Sequence, residues 1–214
     1  VNGGLAAGIP GEPAALVHVA EDYGRLPLQR SLLPAIQLAR NGFMVDEHYR
    51  RMAGFRLAAL QDDPDAARIF LDAEDAVPDA GTRILQPELA HTLEALGRAG
   101  QAGFYRGAVA AALVDGVRAA GGIWTLQDLE EYRVVERKPL RGEYGGLRIV
   151  TVPPPSSGGV VLLSMLNILS GFSLDEYDAA TRTHLIIESM RRAYRDRAEY
   201  LGDSDFVTVP VARL

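Results

Sequence analysis

The stretch PLRGEYGGLRIVTVPPPSSGGVVLLSMLNIL, residues 139–169, decides the fold class. Pro139 to Tyr144 and Leu147 to Val152 flank Gly145 and Gly146, and a glycine pair supplies the positive backbone angles that a tight hairpin turn requires. The second strand carries Leu147, Ile149, Val150 and Val152, which leave little polar surface, so it is expected to be buried on both faces near its end. PPPSSGG then leads rigidly into a helix from about Ser157 to Ser170. Ser164 and Asn167 are its only interior polar positions, so this helix is expected to be central. A hairpin feeding an apolar helix, in a chain otherwise dominated by helical spacing, points to an α/β fold rich in helix.

Downstream, Ile186, Met190, Tyr194 and Leu201 recur at helical spacing and predict a helix over about Thr183 to Leu201 that buries them. Glu188 stands i, i+4 from Arg192 on that helix. GDSDF and an extended VTVPVARL close the chain. Upstream, Thr125 and Asp128 have the spacing of an amino-terminal cap on a short architectural helix reaching about Tyr132. Pro87 can start a helix with Leu89, Leu93 and Leu96 on its buried side; after a break at Gly100 to Gly103, a further helix carries Val109, Leu113 and Val117 and exits at Gly121 and Gly122.

Asp62 to Arg83 reads as a surface excursion with an apolar island at Ile69 to Leu71. Before it, helices fit Asp46 to Gln61 (Tyr49, Met52, Phe55 or Arg56, Leu60) and Leu28 to Arg40 (Leu32, Ile36, Ala39, with Leu33 beside them). Both are expected to lie as amphipathic layers over a core. Pro34 implies a kink or a later start in the second of these. Pro13 opens a helix to about Tyr23, which Gly24 stops. LAAGIPG, Leu5 to Gly11, reads as a buried strand leaving through a tight turn, an abrupt opening that predicts a natural start further upstream.

The 214 residues are 48% hydrophobic, enough for a substantial core and one domain, taken as a single incomplete domain over 1–214. A net charge of −6 without a dense basic run argues against nucleic acid or anionic lipid as partner. Cys is absent, which excludes disulfides, a Cys nucleophile and thiolate metal sites. The apolar run Val160 to Leu169 is far shorter than the roughly 20 residues a bilayer needs, so no membrane span is expected.

Ser156, Ser157, Gly158 and Gly159 form the most suggestive local feature. At a helix start, free amides and the helix dipole can receive a carboxylate or oxyanion; equally, this is a capped helix whose glycines allow close packing, and the local sequence favours that second reading. A Ser nucleophile would need a base and an orienting group, and PPPSSGG does not resemble the GxSxG elbow. His18, His48, His91 and His184 fall on separate helices without a compact ligand spacing, although His184 and Glu188 share a face. Arg191, Arg192, Arg195 and Arg197 are interleaved with Glu188, Asp196 and Glu199, which suits a self-neutralising solvated face; Asp196 and Arg197 can alternatively form a buried polar anchor.

GIPGEPAAL, YGRLPLQRSLLPAIQLARNGFMV, QPELAHTLEALGRAGQAGFYRG, GGIWTLQDLEEYRV, PPPSSGGVVLLSMLNIL and AYRDRAEYLGDSDF followed by VPV, in this order, resemble the large subunit of the γ-glutamyltranspeptidase family. Trp124 and Ser204 depart from it, where Leu and Pro are more usual. The resemblance implies part of a four-layer αββα amino-terminal nucleophile hydrolase, whose precursor cleaves itself to expose a Thr at the start of the small subunit. That Thr, with its own amine as base, takes the γ-glutamyl group of glutathione or a related amide and passes it to water or an amine. The resemblance implies no metal or organic cofactor, a small subunit as partner, and a periplasmic or secreted location. It assigns no catalytic residue to this chain: the nucleophilic Thr, the oxyanion glycines and the Arg for the substrate carboxylate belong to segments outside 1–214. Ser156 to Gly159 remain a candidate pocket-supporting loop, and the chain by itself is expected to be inactive and to self-associate through uncovered apolar edges. A related cephalosporin acylase and a non-catalytic helical scaffold are the alternatives.

Overall fold

The computed structural model describes residues 3–214, which fall into two compact units, one ending at Val134 and the other Val135–Leu214. The first unit is helical. It holds α1 (Glu12–Asp22), α2 (Leu28–Asn41), α3 (Glu47–Gln61), α4 (Pro64–Phe70), α5 (Pro87–Ala99), α6 (Ala102–Tyr105), α7 (Gly107–Ala119) and α8 (Leu126–Glu130). Its core joins Ala14 and Val17 of α1, Leu32, Ile36 and Ala39 of α2, Ala90 and Leu96 of α5, Phe104 and Tyr105, Ala110 and Val114 of α7, Trp124 and Leu129. A Cβ on Gly97 would stand 3.1 Å from the Gln29 Cα, so glycine is what lets α2 and α5 cross closely. Arg40 and Glu94 pair across the same two helices.

Several expectations hold in this unit. Leu32, Ile36 and Ala39 are the buried face of α2, which runs unbroken through Pro34 to a positive-φ Gly42, so the helix does not start late. Thr125 caps α8 with a reciprocal capping box to Asp128. Others are corrected. Leu5 to Gly11 is no strand: Gly4–Ala6 makes a 3-10 turn, Leu5 is 67% exposed, and the backbone beyond is held by side chains instead of a ladder. The Trp124 indole N–H donates to the Ala7 carbonyl at 3.0 Å, while the Tyr105 hydroxyl donates to the Pro10 carbonyl and accepts from the Ala14 N–H at 3.1 Å. The surface excursion contains α4, capped by Asp63, and the glycine break contains α6. A two-residue antiparallel pair, β1 (Phe43–Met44) with β2 (Arg83–Ile84), closes the segment between them.

No residue of α3 is buried, and Phe55 is 76% exposed, so the layer expected there covers no core. In α5 and α7 the deepest positions include Ala90 and Ala110, while Leu89 is exposed and Val109, Leu113 and Val117 are only partly buried. Closely crossing helices meet through small residues, whereas periodicity in the sequence draws attention to large ones.

The second unit is a hairpin with two helices. β3 (Leu140–Tyr144) and β4 (Leu147–Thr151) pair antiparallel, Tyr144 opposite Leu147 and Leu140 opposite Thr151. Gly145 and Gly146 both have positive φ, as a primed turn demands. The hairpin is covered on one face only. α9 (Gly158–Leu169) lies against that face, where a Cβ on Gly142 would sit 2.5 Å from Leu163 Cδ2. Leu147, Val150 and Val152 are exposed, which overturns the two-sided burial expected of this strand; among the described residues no further strand stacks on it. α10 (Ala179–Tyr200) begins earlier than its apolar pattern suggests, at an Asp178 cap, and packs on α9. It buries Ser189 and Ala193, not Ile186, Met190 and Tyr194, for the same reason of close helix crossing. Val211–Arg213 ends the chain as a 3-10 turn.

Candidate functional site

β4 delivers the chain to Pro153, Pro154 and Pro155, whose fixed φ prevents further pairing, and Ser156 to Gly159 then turn it into α9. Gly159 is buried, and a Cβ there would stand 2.0 Å from the Val152 carbonyl oxygen. Glycine is therefore required for the start of α9 to pass the end of β4. Gly158 has no such constraint, its nearest neighbour being the Ser156 Oγ at 3.7 Å from an added Cβ.

Ser157 occupies the N-cap position but caps nothing. Its Oγ instead accepts from the Nε–H of Arg197 on α10, at 3.0 Å. Ser156 Oγ accepts weakly from the Gly158 N–H at 3.4 Å. Both hydroxyls thus meet donors, and a guanidinium cannot take up a proton. The pair is set up for positioning the loop, not for nucleophilic attack. The Gly159 and Val160 amides open the helix without an acceptor among the described residues.

On the other side of the prolines, Pro153 and Pro154 border an open cavity of about 650 Å3 with Arg137, Lys138 and the Ser204 to Val209 segment. Arg137 holds Asp205 at 2.6 Å there, and the turn beyond is organised by Asp203, whose carbonyl accepts from the N–H groups of Phe206 and Val207 at 3.0 and 2.9 Å. The Ser204 Oγ is buried without a partner.

The remaining candidates separate. Glu188 is held by Arg192 and Arg191, at 2.6 and 2.5 Å, and hydrogen bonds from these two guanidiniums keep its carboxyl below the usual carboxylate range. That occupies the acid that His184 would need as a co-ligand. Arg197 is exposed, so the anchor it forms with Ser157 is a surface one. His18 pairs with Asp22 at 2.6 Å and His48 with Arg51 at 3.2 Å. Among the described residues no three His, Asp or Glu side chains are grouped to hold a metal ion, and no helix is long and apolar enough to cross a membrane. Sequence reasoning missed the link between Arg197 and Ser157; the two lie 40 positions apart, with no local signal to connect them.

The family model described as Gamma-glutamyltranspeptidase matches residues 1–214. The chain is 40% identical to the glutathione hydrolase proenzyme of Pseudomonas sp. strain A14, over 100% of its own length and 37% of that protein's. It is 36% identical to the acylase ACY 1 proenzyme of Pseudomonas sp. strain V22, over 100% of its length and 38% of the relative's. The crystal structure of Helicobacter pylori gamma-glutamyltranspeptidase superposes with a TM-score of 0.94 at 36% identity, covering 98% of this chain and 61% of that one. The chain therefore spans little more than a third of the length of these curated relatives.

Proposed function

The chain belongs to the gamma-glutamyltranspeptidase family, and from that premise we propose that it is part of the larger subunit of an enzyme that hydrolyses or transfers the γ-glutamyl group of glutathione and related amides. The observation that carries this reading is likeness along the entire chain, by sequence to a glutathione hydrolase proenzyme and by fold to a gamma-glutamyltranspeptidase. In that reading residues 1–214 are one incomplete domain of a four-layer sandwich, completed by the rest of the precursor. The chemistry belongs to a Thr at the start of a small subunit, and the proposed location is periplasmic or extracellular. Ser156 to Gly159 form a wall of the substrate pocket, with Arg197 and Gly159 fixing the loop that carries them.

The hydroxyls nearest to a candidate site have donors for neighbours and no base, which supports a chain that supplies walls and not reactive atoms. The purified polypeptide is expected to show no turnover of a γ-glutamyl anilide. Replacing the matching 37% of the Pseudomonas sp. A14 proenzyme with residues 1–214 is expected to give a chimera that cleaves itself and turns over the anilide. Turnover by the isolated chain would falsify the assignment of chemistry elsewhere. A chimera that processes itself yet releases a cephalosporin side chain and ignores the anilide favours the acylase reading, which the likeness to acylase ACY 1 supports.

A further inference from the structure

Among the described residues, neither β3 nor β4 has a second neighbour, so each strand presents an open edge. The turn decides which groups face outward. With Gly145 and Gly146 as a two-residue loop, Tyr144 and Leu147 close the hairpin as a hydrogen-bonded pair, and bonded and non-bonded pairs then alternate along the ladder. Leu140, Gly142 and Tyr144 direct their main-chain groups toward β4. Arg141 and Glu143 direct theirs outward, and neither makes a main-chain hydrogen bond elsewhere. Their side chains are exposed, lie on the face opposite to the one that Gly142 turns to α9, and enter no ion pair.

We propose that the outer edge of β3 docks antiparallel on the same edge of a second copy of this chain, with Gly142 facing Gly142. In that register Arg141 stands opposite Glu143 of the second copy and Glu143 opposite its Arg141, each pair exchanging reciprocal main-chain hydrogen bonds. Leu140 meets Tyr144 across the same dyad, an apolar and aromatic cross-strand pair. The result is a closed, isologous contact that extends the two hairpins into one sheet. Sliding the register by two residues in either direction places Arg141 on Arg141 or Glu143 on Glu143, which like-charge repulsion opposes. β4 has no such self-complementarity: its outward residues, Arg148 and Val150, would pair Arg with Arg or Arg with Val. Charge complementarity thus selects one edge, one register and one occupant. The proposal holds whether or not the enzymatic reading does.

So short an edge contact buries less than a standard interface, and its affinity is expected in the range of roughly 10 to 500 μM. Sedimentation of the wild-type chain through that range should show monomer passing to dimer. Glu143→Arg and Arg141→Glu should each weaken association at least about tenfold while keeping the wild-type far-UV spectrum, and mixing the two variants should restore it as a heterodimer. In the wild type, hydrogen exchange at the Arg141 and Glu143 amides should slow as concentration rises, a readout that needs no variant. A chain that stays monomeric throughout, amide protection independent of concentration, or association that Glu143→Arg leaves intact because other apolar surfaces carry it, each overturns the proposal.

Discussion

At the scale of single residues, the capping box of Thr125 and Asp128 ties local sequence to stability. Hydrogen bonds from the Thr125 hydroxyl and N–H hold the Asp128 carboxyl below its ordinary range. A carboxyl whose folded-state pKa is depressed stabilises the fold fully above the ordinary carboxylate range, and that contribution is lost as pH falls through the folded value. Urea unfolding of Asp128→Asn should therefore show a deficit against wild type at neutral pH that shrinks in acid. Thr125→Ala should cost about 1 kcal/mol at neutral pH. Ser204 offers the opposite case. It is the second residue of the turn closed by the Asp203 carbonyl and the Phe206 N–H, a position where proline's fixed φ fits. Its own N–H makes no hydrogen bond and its Oγ has no partner. Ser204→Pro should raise the unfolding free energy by about 0.4–1 kcal/mol, seen as a higher urea midpoint with an unchanged slope. The capping box was legible because its signal spans three residues. The Arg197 to Ser157 bond was not, since it depends on how two distant helices pack.

At the scale of elements, the start of α9 shows what a sequence pattern conveys and what it conceals. PPPSSGG announces a helix start, and the structure places one there with Ser157 at its N-cap. The pattern cannot distinguish its two glycines, but the structure does. Gly159→Ala would press a methyl group into the Val152 carbonyl and should destabilise by about 1–3 kcal/mol, whereas Gly158→Ala should fall within about 0.5 kcal/mol of wild type. Thermal denaturation of the two variants side by side measures the contrast. Element boundaries were largely readable, because proline starts, glycine exits and side-chain caps act locally. Buried faces were read less well. Ala90, Ala110, Ser189 and Ala193 reach the closest helix contacts, and small side chains carry little weight in a hydrophobic period. The exposed Phe55, Val150 and Tyr194 err in the other direction: their spacing marks surfaces suited to burial, and suitability alone brings no covering layer.

At the scale of the whole molecule, the first unit owns a continuous core from Ala14 to Leu129. A polypeptide stopped at Val134 should keep a cooperative thermal transition by circular dichroism; a featureless melt would show that this core does not stand alone. The likeness to a glutathione hydrolase proenzyme extends over the whole chain but covers 37% of that relative, which is why fold class could be read here while chemistry could not. Motifs for packing are spread through 1–214, and those for reaction are not among them. One last consequence follows from Trp124, the chain's single tryptophan, 7% exposed and bonded through its indole to Ala7. Its emission is a native optical probe confined to one half of the polypeptide. Plotted during denaturation beside backbone ellipticity, which sums over every helix, it turns any lag between the two curves into a direct measure of whether the halves melt together.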